Sequence, residues 1–371
     1  MSAGEIRFGR GASAEAAARA AVLGRRVILV HGARGARADW LGDALRAEGL
    51  AVTRFSVPGE PDQARIEAGL TTARAAGADS VVAIGGGAAI DAGKAIAALV
   101  PATRPMLDHL EVVGQGLPLD HPPLPFIALP TTAGTGAEVT KSAVIAVPEH
   151  HRKVSLRDPR MLPDLAIVDP ALTDGCPRAV TLASGLDAVT QVIEPFLSTR
   201  ANPMTDALCR EAIPKGLGAL VTLMQGEDPA ARDALAWTSL CGGLALANAG
   251  LGAVHGLAGP LGGLTGAAHG AICGALLPPV LAANAKACGG GARFEAVARW
   301  IATALDTTPE SAFDTLAAWS RDAGLPGLDA QGVDAGARHA AAQAAAASSS
   351  MKANPAPLSP QTLEAVMDAA R

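Results

Sequence analysis

The feature that most constrains the fold is a single change of pattern along the chain. Up to about Pro177, short apolar runs alternate with helical stretches; beyond it strand signals stop. Arg26–His31 (RVILVH) reads as a buried strand, β-branched and closed by Gly32. Val52–Val57, Ser80–Ile84, Leu124–Leu129 and Leu165–Val168 read the same way. Between them lie helical patterns: an Ala-rich one before Arg26 with Ser13 placed to cap it, then Ala38–Gly49, Gln63–Ala76 and Ala88–Val100. Strands alternating with helices imply a parallel sheet covered on both faces. The second half reads as helices only: Ala183–Leu197, Asn202–Met224, Pro229–Ala249, Ala268–Ala285, Arg293–Ala304, Pro309–Ala323, Ala330–Ala347 and a last one opening at Ser359-Pro360. The segment between the last two, SSSMKANPAPLS, reads as an ordered linker. The expected fold is α/β plus all-α: a parallel-sheet domain over residues 1–177, then a helical domain over 178–371. A cleft between such domains is a favoured place for a small molecule.

Composition narrows the function. Aromatic residues make up 3% of the 371 positions, so the core must be aliphatic, and the absence of Tyr excludes tyrosine as a catalytic acid. The net charge of −5 comes without a basic block, which argues against nucleic acid or an anionic membrane as partner. The N-terminus lacks the apolar run of a signal peptide, and apolar stretches are broken by Gly, Pro or charge before 18 residues, so no span is expected. Five scattered cysteines (Cys176, Cys209, Cys241, Cys273, Cys288) form no CxxC pair. They read as buried small hydrophobes in a reduced cytoplasm, and a zinc–thiolate cluster is not expected.

Two loops are suited to a phosphate ester. Gly85-Gly86-Gly87 follows a strand and opens a helix, so backbone N–H groups at a positive helix end can approach a pyrophosphate. Its spacing is not GxGxxG, and taken alone a plain tight turn explains it equally. Leu129–Glu138 (LPTTAGTGAE) also follows an apolar run, and its hydroxyls can wrap sugar and phosphate oxygens. Asp91 and Lys94, three apart on the helix after the glycines, read residue by residue as a surface ion pair of small value. Further on, Asp187 and Gln191 share a helix face at i and i+4. The Gly-rich stretch that follows carries His255 and His269. A carboxylate with two imidazoles suits a divalent transition metal, and close backbone approach to a ligand would justify so much glycine.

With these residues assembled, the chain resembles the iron-containing (group III) alcohol dehydrogenases over nearly its whole length. GGGAAIDAGK at Gly85–Lys94 resembles the family's GGGSxxDxxK, and LPTTAGTGAEVT at Leu129–Thr140 its PTTxGTGSE loop. Leu165–Glu194 and His255–Gly270 are similar to its two long signatures, and SSSMKANP at Ser348–Pro355 to its C-terminal linker. The resemblance implies a dehydroquinate-synthase-like fold and hydride transfer between NAD or NADP and a small alcohol or carbonyl substrate. It implies a divalent ion, Fe2+ or Zn2+, acting as a Lewis acid. It places Gly85, Gly86, Gly87, Thr131, Thr132, Thr135 and Lys153 on the cofactor, and Asp91 and Lys94 near the nicotinamide, where with His255 they form the expected catalytic set. Asp187, Gln191, His255 and His269 are the expected metal positions, and a homodimer is the expected assembly, for which a strand such as Ile6–Gly9 could pair across a two-fold axis.

Two departures stand out. Gln191 occupies a position where the family carries His, and Gly259 takes the place of the second His of HxxxH. Gln ligates weakly and has no titratable proton, so proton transfer must use water, a ribose hydroxyl or another side chain. The maleylacetate reductase branch, acting on a carboxylated keto substrate with little or no metal, is an alternative. So are a dehydroquinate-synthase-like lyase and a dinucleotide-binding protein impaired in catalysis. His31–Gly35, after the first strand of the sheet, has no acidic residue to select the NAD ribose, and Arg34 could meet a 2′-phosphate.

Overall fold

The structure, a computed structural model, describes residues 1–150, 152–346 and 348–371. It divides into two compact units, Met1–Thr132 with Ala137–Thr173, and Ala133–Gly136 with Asp174–Arg371.

The first unit is built on β1 (Glu5–Phe8), β2 (Arg26–Gly32), β3 (Ala51–Val57), β4 (Ser80–Gly85), β5 (Phe126–Pro130) and, after a hairpin of β6 (Ser142–Val147) and β7 (Arg152–Arg157), β8 (Leu165–Val168). Six of these form one sheet in the order β1-β8-β5-β4-β2-β3, every pairing parallel. The helices are α1 (Ala16–Leu23), α2 (Asp39–Ala47), α3 (Gln63–Ala75), α4 (Gly87–Leu99) and the single turn α5 (Met106–His109). Strand residues alternate between two cores. Ile28, Val30, Val81, Ala83, Phe126 and Ala128 pack with Ile66, Ile90 and Ile96 of α3 and α4. Val27, Leu29, Val82, Ile84, Ile127 and Leu129 pack with Ala16, Ala20, Leu41 and Leu45 of α1 and α2. Burial on both faces is why these strands read as continuous apolar runs.

The second unit holds α6 (Arg178–Leu197), α7 (Pro203–Gln225), α8 (Pro229–Ala249), α9 (Ala253–Thr265), α10 (His269–Cys288), α11 (Ala292–Leu305), α12 (Ala312–Asp322), α13 (Ala335–Ala345) and α14 (Pro360–Ala369). Caps set several boundaries. Asn202 and Thr205 form a reciprocal capping box at α7, Asp228 accepts from the Ala231 amide at α8, and Ser359 from the Thr362 amide at α14.

Several expectations need correction. Ser13 does not cap α1: its hydroxyl donates to Asp169 Oδ2 at 2.6 Å, and the helix begins at Ala16. The N-terminal strand, expected from Ile6 to Gly9, spans Glu5–Phe8, pairs with β8, Glu5 opposite Leu165, and lies at the edge of the sheet. The β6–β7 hairpin escaped the sequence reading because only one face of it is apolar, as in RKVSLR, where Val154 and Leu156 are buried between exposed Arg152 and Arg157. Helix α9 was hidden by its glycines. Helix α13 starts at Ala335 rather than Ala330 because Asp334 caps it through the Ala337 amide, and Ala347, the expected end, lies outside the described residues. Among the described residues one helix, α10, is by itself long and apolar enough to cross a membrane, against expectation; 56% of its apolar window is buried within the protein, as befits a packed core helix.

Candidate active site

The turn between β4 and α4 is held open by its glycines. A Cβ on Gly85 would lie 2.6 Å from Ala89 Cβ, and one on Gly86 3.2 Å from Thr132 Oγ1. Gly86 caps α4 with an extended backbone and no side-chain hydrogen bond, so the first amides of a 13-residue helix are left for a ligand. The Thr131 amide donates to the Gly85 carbonyl at 2.9 Å, which ties the second loop to the first. Gly85, Gly86, Gly87, Thr131 and Thr132 therefore share one end of the sheet.

Thr135 belongs to the helical unit. Gly134 and Gly136 are required there by packing: a Cβ on Gly134 would lie 3.0 Å from Ser184 Cβ, and one on Gly136 2.6 Å from both the Ser239 carbonyl and Gly243 Cα. Gly136 also has a positive φ of 58°. The Thr135 carbonyl accepts a hydrogen bond from Gln191 Nε2 at 2.6 Å. Gln191, expected among the metal positions, thus commits its amide nitrogen to this segment.

Lys94 and Asp91 are not a surface pair. The Lys94 side chain is fully buried; Nζ donates to the Ala137 carbonyl and Thr140 Oγ1, each at 2.9 Å, and to the Ser142 carbonyl, and lies 3.3 Å from Asp91 Oδ1. Asp91 Oδ2 accepts from the Val144 amide at 3.0 Å. Together they fasten the start of β6 to α4. Burial lowers the Lys94 pKa, opposed by Asp91 and Glu138. Glu138, also buried, is pushed up to about 7 by desolvation, with Lys94 pulling the other way. Lys153 lies on β7 and forms an ion pair with Glu60.

The metal-like group is assembled by three helices. Asp187 sits mid-way along α6, His255 near the start of α9, and His269 at the first position of α10. Glycines permit the approach. A Cβ on Gly270 would lie 2.5 Å from the Ala183 carbonyl and one on Gly274 2.7 Å from Leu186 Cδ1, so α10 can sit directly on α6. Gly252 lets the start of α9 reach Glu194, whose Oε1 accepts from the Val254 amide at 2.7 Å. Glu194 Oε2 lies 2.6 Å from His255 Nδ1. Nδ1–H donates to the Glu194 carboxylate, which leaves Nε2 to face Asp187 Oδ1 at 3.3 Å. His269 Nε2 is 3.8 Å from the same oxygen. A fourth donor, Cys273, stands one turn after His269 with Sγ 3.6 Å from His269 Nε2. The four donor atoms lie within 4.8 Å of one another. His269-x3-Cys273 on one predicted helix was the sequence signal available for this residue.

Electrostatics match the geometry. Burial would raise the Asp187 carboxyl, but His269, His255 and Cys273 together hold it below its usual range. Burial lowers both imidazoles; for His269 the thiol of Cys273 and Asp187 overcome this and bring it up to about 9, and His255 is raised likewise by Cys273, Asp187 and Glu194. Asp187 Oδ1 and His255 Nε2 are buried without a hydrogen-bond partner. Two buried lone-pair atoms facing each other without a hydrogen between them are what a bound cation would satisfy, so the residues fit a divalent metal. At Gly259, one turn beyond His255, a Cβ would meet nothing within 4 Å, so the space of the missing imidazole is open.

Known proteins agree with this architecture. Residues 3–170 match the family described as iron-containing alcohol dehydrogenase, and residues 181–371 match its C-terminal domain. The chain belongs to the iron-containing alcohol dehydrogenase family. It is 37% identical over 268 residues to the probable alcohol dehydrogenase EutG of Escherichia coli (strain K12), covering 70% of this chain and 65% of that relative's length, slightly under two thirds. It is 34% identical to the lactaldehyde reductase of the same organism, covering 76% of this chain and 75% of the relative. The crystal structure of a 1,3-propanediol oxidoreductase superposes with a TM-score of 0.91 at 30% identity, over 100% of this chain and 99% of that one.

Proposed function

We propose that this chain transfers a hydride between NAD or NADP and a small alcohol or carbonyl compound, assisted by a divalent metal, Fe2+ or Zn2+. The observation that carries the reading is the pair of orphaned, buried donors Asp187 Oδ1 and His255 Nε2, with His269 completing a three-sided set. When bound, the ion would supply Lewis-acid polarisation of the substrate oxygen. The protein's own groups do the rest. The amides at the start of α4, with Gly86, Thr131 and Thr132 around them, receive the dinucleotide phosphates, and Thr135 and Lys153 are proposed to assist. Glu194 fixes the His255 tautomer. Asp91 and Lys94 act as positioning residues that hold β6 on α4. Gly259 leaves room beside His255 for water, so we assign proton exchange to water or a ribose hydroxyl. The names of the relatives favour short aldehydes and diols as first substrates to try.

The test follows NADH and NADPH oxidation with lactaldehyde and 3-hydroxypropanal as substrates, before and after chelation and after adding back zinc or iron. Metal-dependent, stoichiometric cofactor oxidation is expected. Turnover without net oxidation would point to a lyase that regenerates its nicotinamide. Dinucleotide binding with no hydride transfer on any carbonyl would reduce the chain to a binding protein. For assembly we propose a homodimer, which light scattering of the purified protein checks.

A further inference from the structure

We propose that Cys273 is a fourth, thiolate ligand of the metal centre, making it an Asp187/His255/His269/Cys273 site that prefers zinc. This rests on reading the group as a divalent-metal centre and adds the ligand that the loss of His at position 191 removed.

The argument is geometric. For tetrahedral zinc with Zn–S about 2.3 Å and Zn–N about 2.0–2.1 Å, the S···N separation should be about 3.6 Å and the N···O separation about 3.3 Å. Cys273 Sγ to His269 Nε2 is 3.6 Å, and His255 Nε2 to Asp187 Oδ1 is 3.3 Å. The His269–Asp187 separation, 3.8 Å, is wider than this, the other three pairs lie within 4.8 Å, and the His269 side chain is the one member of the set with substantial exposure, 35%, and room to adjust. Cys273 is completely buried, and its Sγ lies within 4.8 Å of a donor atom on each of the other three residues. Gln191 offers a metal only its weakly ligating amide oxygen, while its Nε2 is held by the Thr135 carbonyl. Burial alone does not bring such neighbours: Cys209 and Cys241 are equally buried and belong to no such donor group among the described residues. Metal binding at Cys273 displaces the thiol proton to solvent, and sulfur donation favours zinc over harder ions such as Mn2+. With all four residues holding it, zinc would have a full tetrahedral set of protein donors.

The test strips the full-length protein of metal and titrates it with Co2+ and Zn2+. One cobalt per chain with a near-ultraviolet thiolate-to-cobalt charge-transfer band is expected, unchanged in Cys288→Ser, whose sulfur is exposed elsewhere. Cys273→Ser should bind cobalt without that band. Its zinc affinity should fall by more than about 100-fold, the upper end for residues only indirectly supporting a ligand, and its zinc-over-manganese preference should narrow. Cobalt bound by the wild type with ligand-field bands but no charge-transfer band overturns the proposal and leaves the metal reading intact. A band that persists in Cys273→Ser also overturns it. Failure of the wild type to bind any metal removes both. The wild-type spectrum decides the matter even if Cys273→Ser does not fold.

Discussion

Replacing Lys94 with Met separates two roles that the sequence motif confounds. If Lys94 fastens β6 to α4, the substitution is a stability mutation. Its ammonium makes hydrogen bonds to the Ala137 carbonyl, Thr140 Oγ1 and the Ser142 carbonyl beside the 3.3 Å Asp91 contact. Each charge-assisted bond is worth about 1.5–3 kcal/mol. Against that stands the desolvation cost of a fully buried cation, which lowers its pKa. Removing one partner of such a buried pair leaves a net loss of about 3–5 kcal/mol, because Asp91 loses its counter-charge and the carbonyls lose the ammonium. That is about a 150- to 5,000-fold change in the folding equilibrium. Urea unfolding followed by circular dichroism should show the midpoint falling in Lys94→Met, while Asp91→Asn costs less, since the carbonyl bonds survive. The double variant should lose less than the sum of the two, the signature of coupled neighbours. The assay runs beside NADH affinity and turnover at a temperature where each variant is folded. A Lys94→Met protein as stable as wild type, within about 1 kcal/mol, but with turnover abolished would refute the structural argument and return Lys94 to the chemistry.

Three further outcomes are expected. Glu138 has a folded pKa of about 7 against about 4.5 unfolded, raised by burial, so its contribution is intact below pH 4.5 and is lost as pH rises towards 7; stability should fall by about 3 kcal/mol over that window, and Glu138→Gln should flatten the slope. Glu194→Gln should lower metal affinity by about 10–100-fold, measured by chelator competition, because His255 loses the carboxylate that orients it; unchanged affinity would mean that the tautomer is set otherwise. Gly136→Ala should destabilise the chain by several kcal/mol (about 3), since the added Cβ meets the Ser239 carbonyl and Gly243 at 2.6 Å in a backbone with positive φ; a neutral thermal shift would show that the strap moves freely.

What the sequence determined on its own was periodic or covalently local. Parallel strands buried on both faces announce themselves as apolar runs, and caps such as Ser359 sit next to what they cap, so the start of α14 was placed to the residue. Asp187, His255 and His269 were legible because carboxylate and imidazole in a glycine-rich setting carry few other meanings. The β6–β7 hairpin and α9 were not, because one has a single apolar face and the other is masked by the glycines that its close packing requires.

Tertiary structure alone decided what each side chain faces. Helical spacing puts Cys273 one turn from His269, but spacing cannot say that this face of α10 meets Asp187 rather than a leucine. That depends on Gly270 and Gly274 letting α10 lie against α6. Lys94, three residues from Asp91 on an ordinary helix, reads as a surface cation until the carbonyls of a segment more than 40 residues away close over it. A period fixes direction around a helix axis; only the packed chain supplies the partner, and with it the dielectric and the donors that give the residue its chemistry.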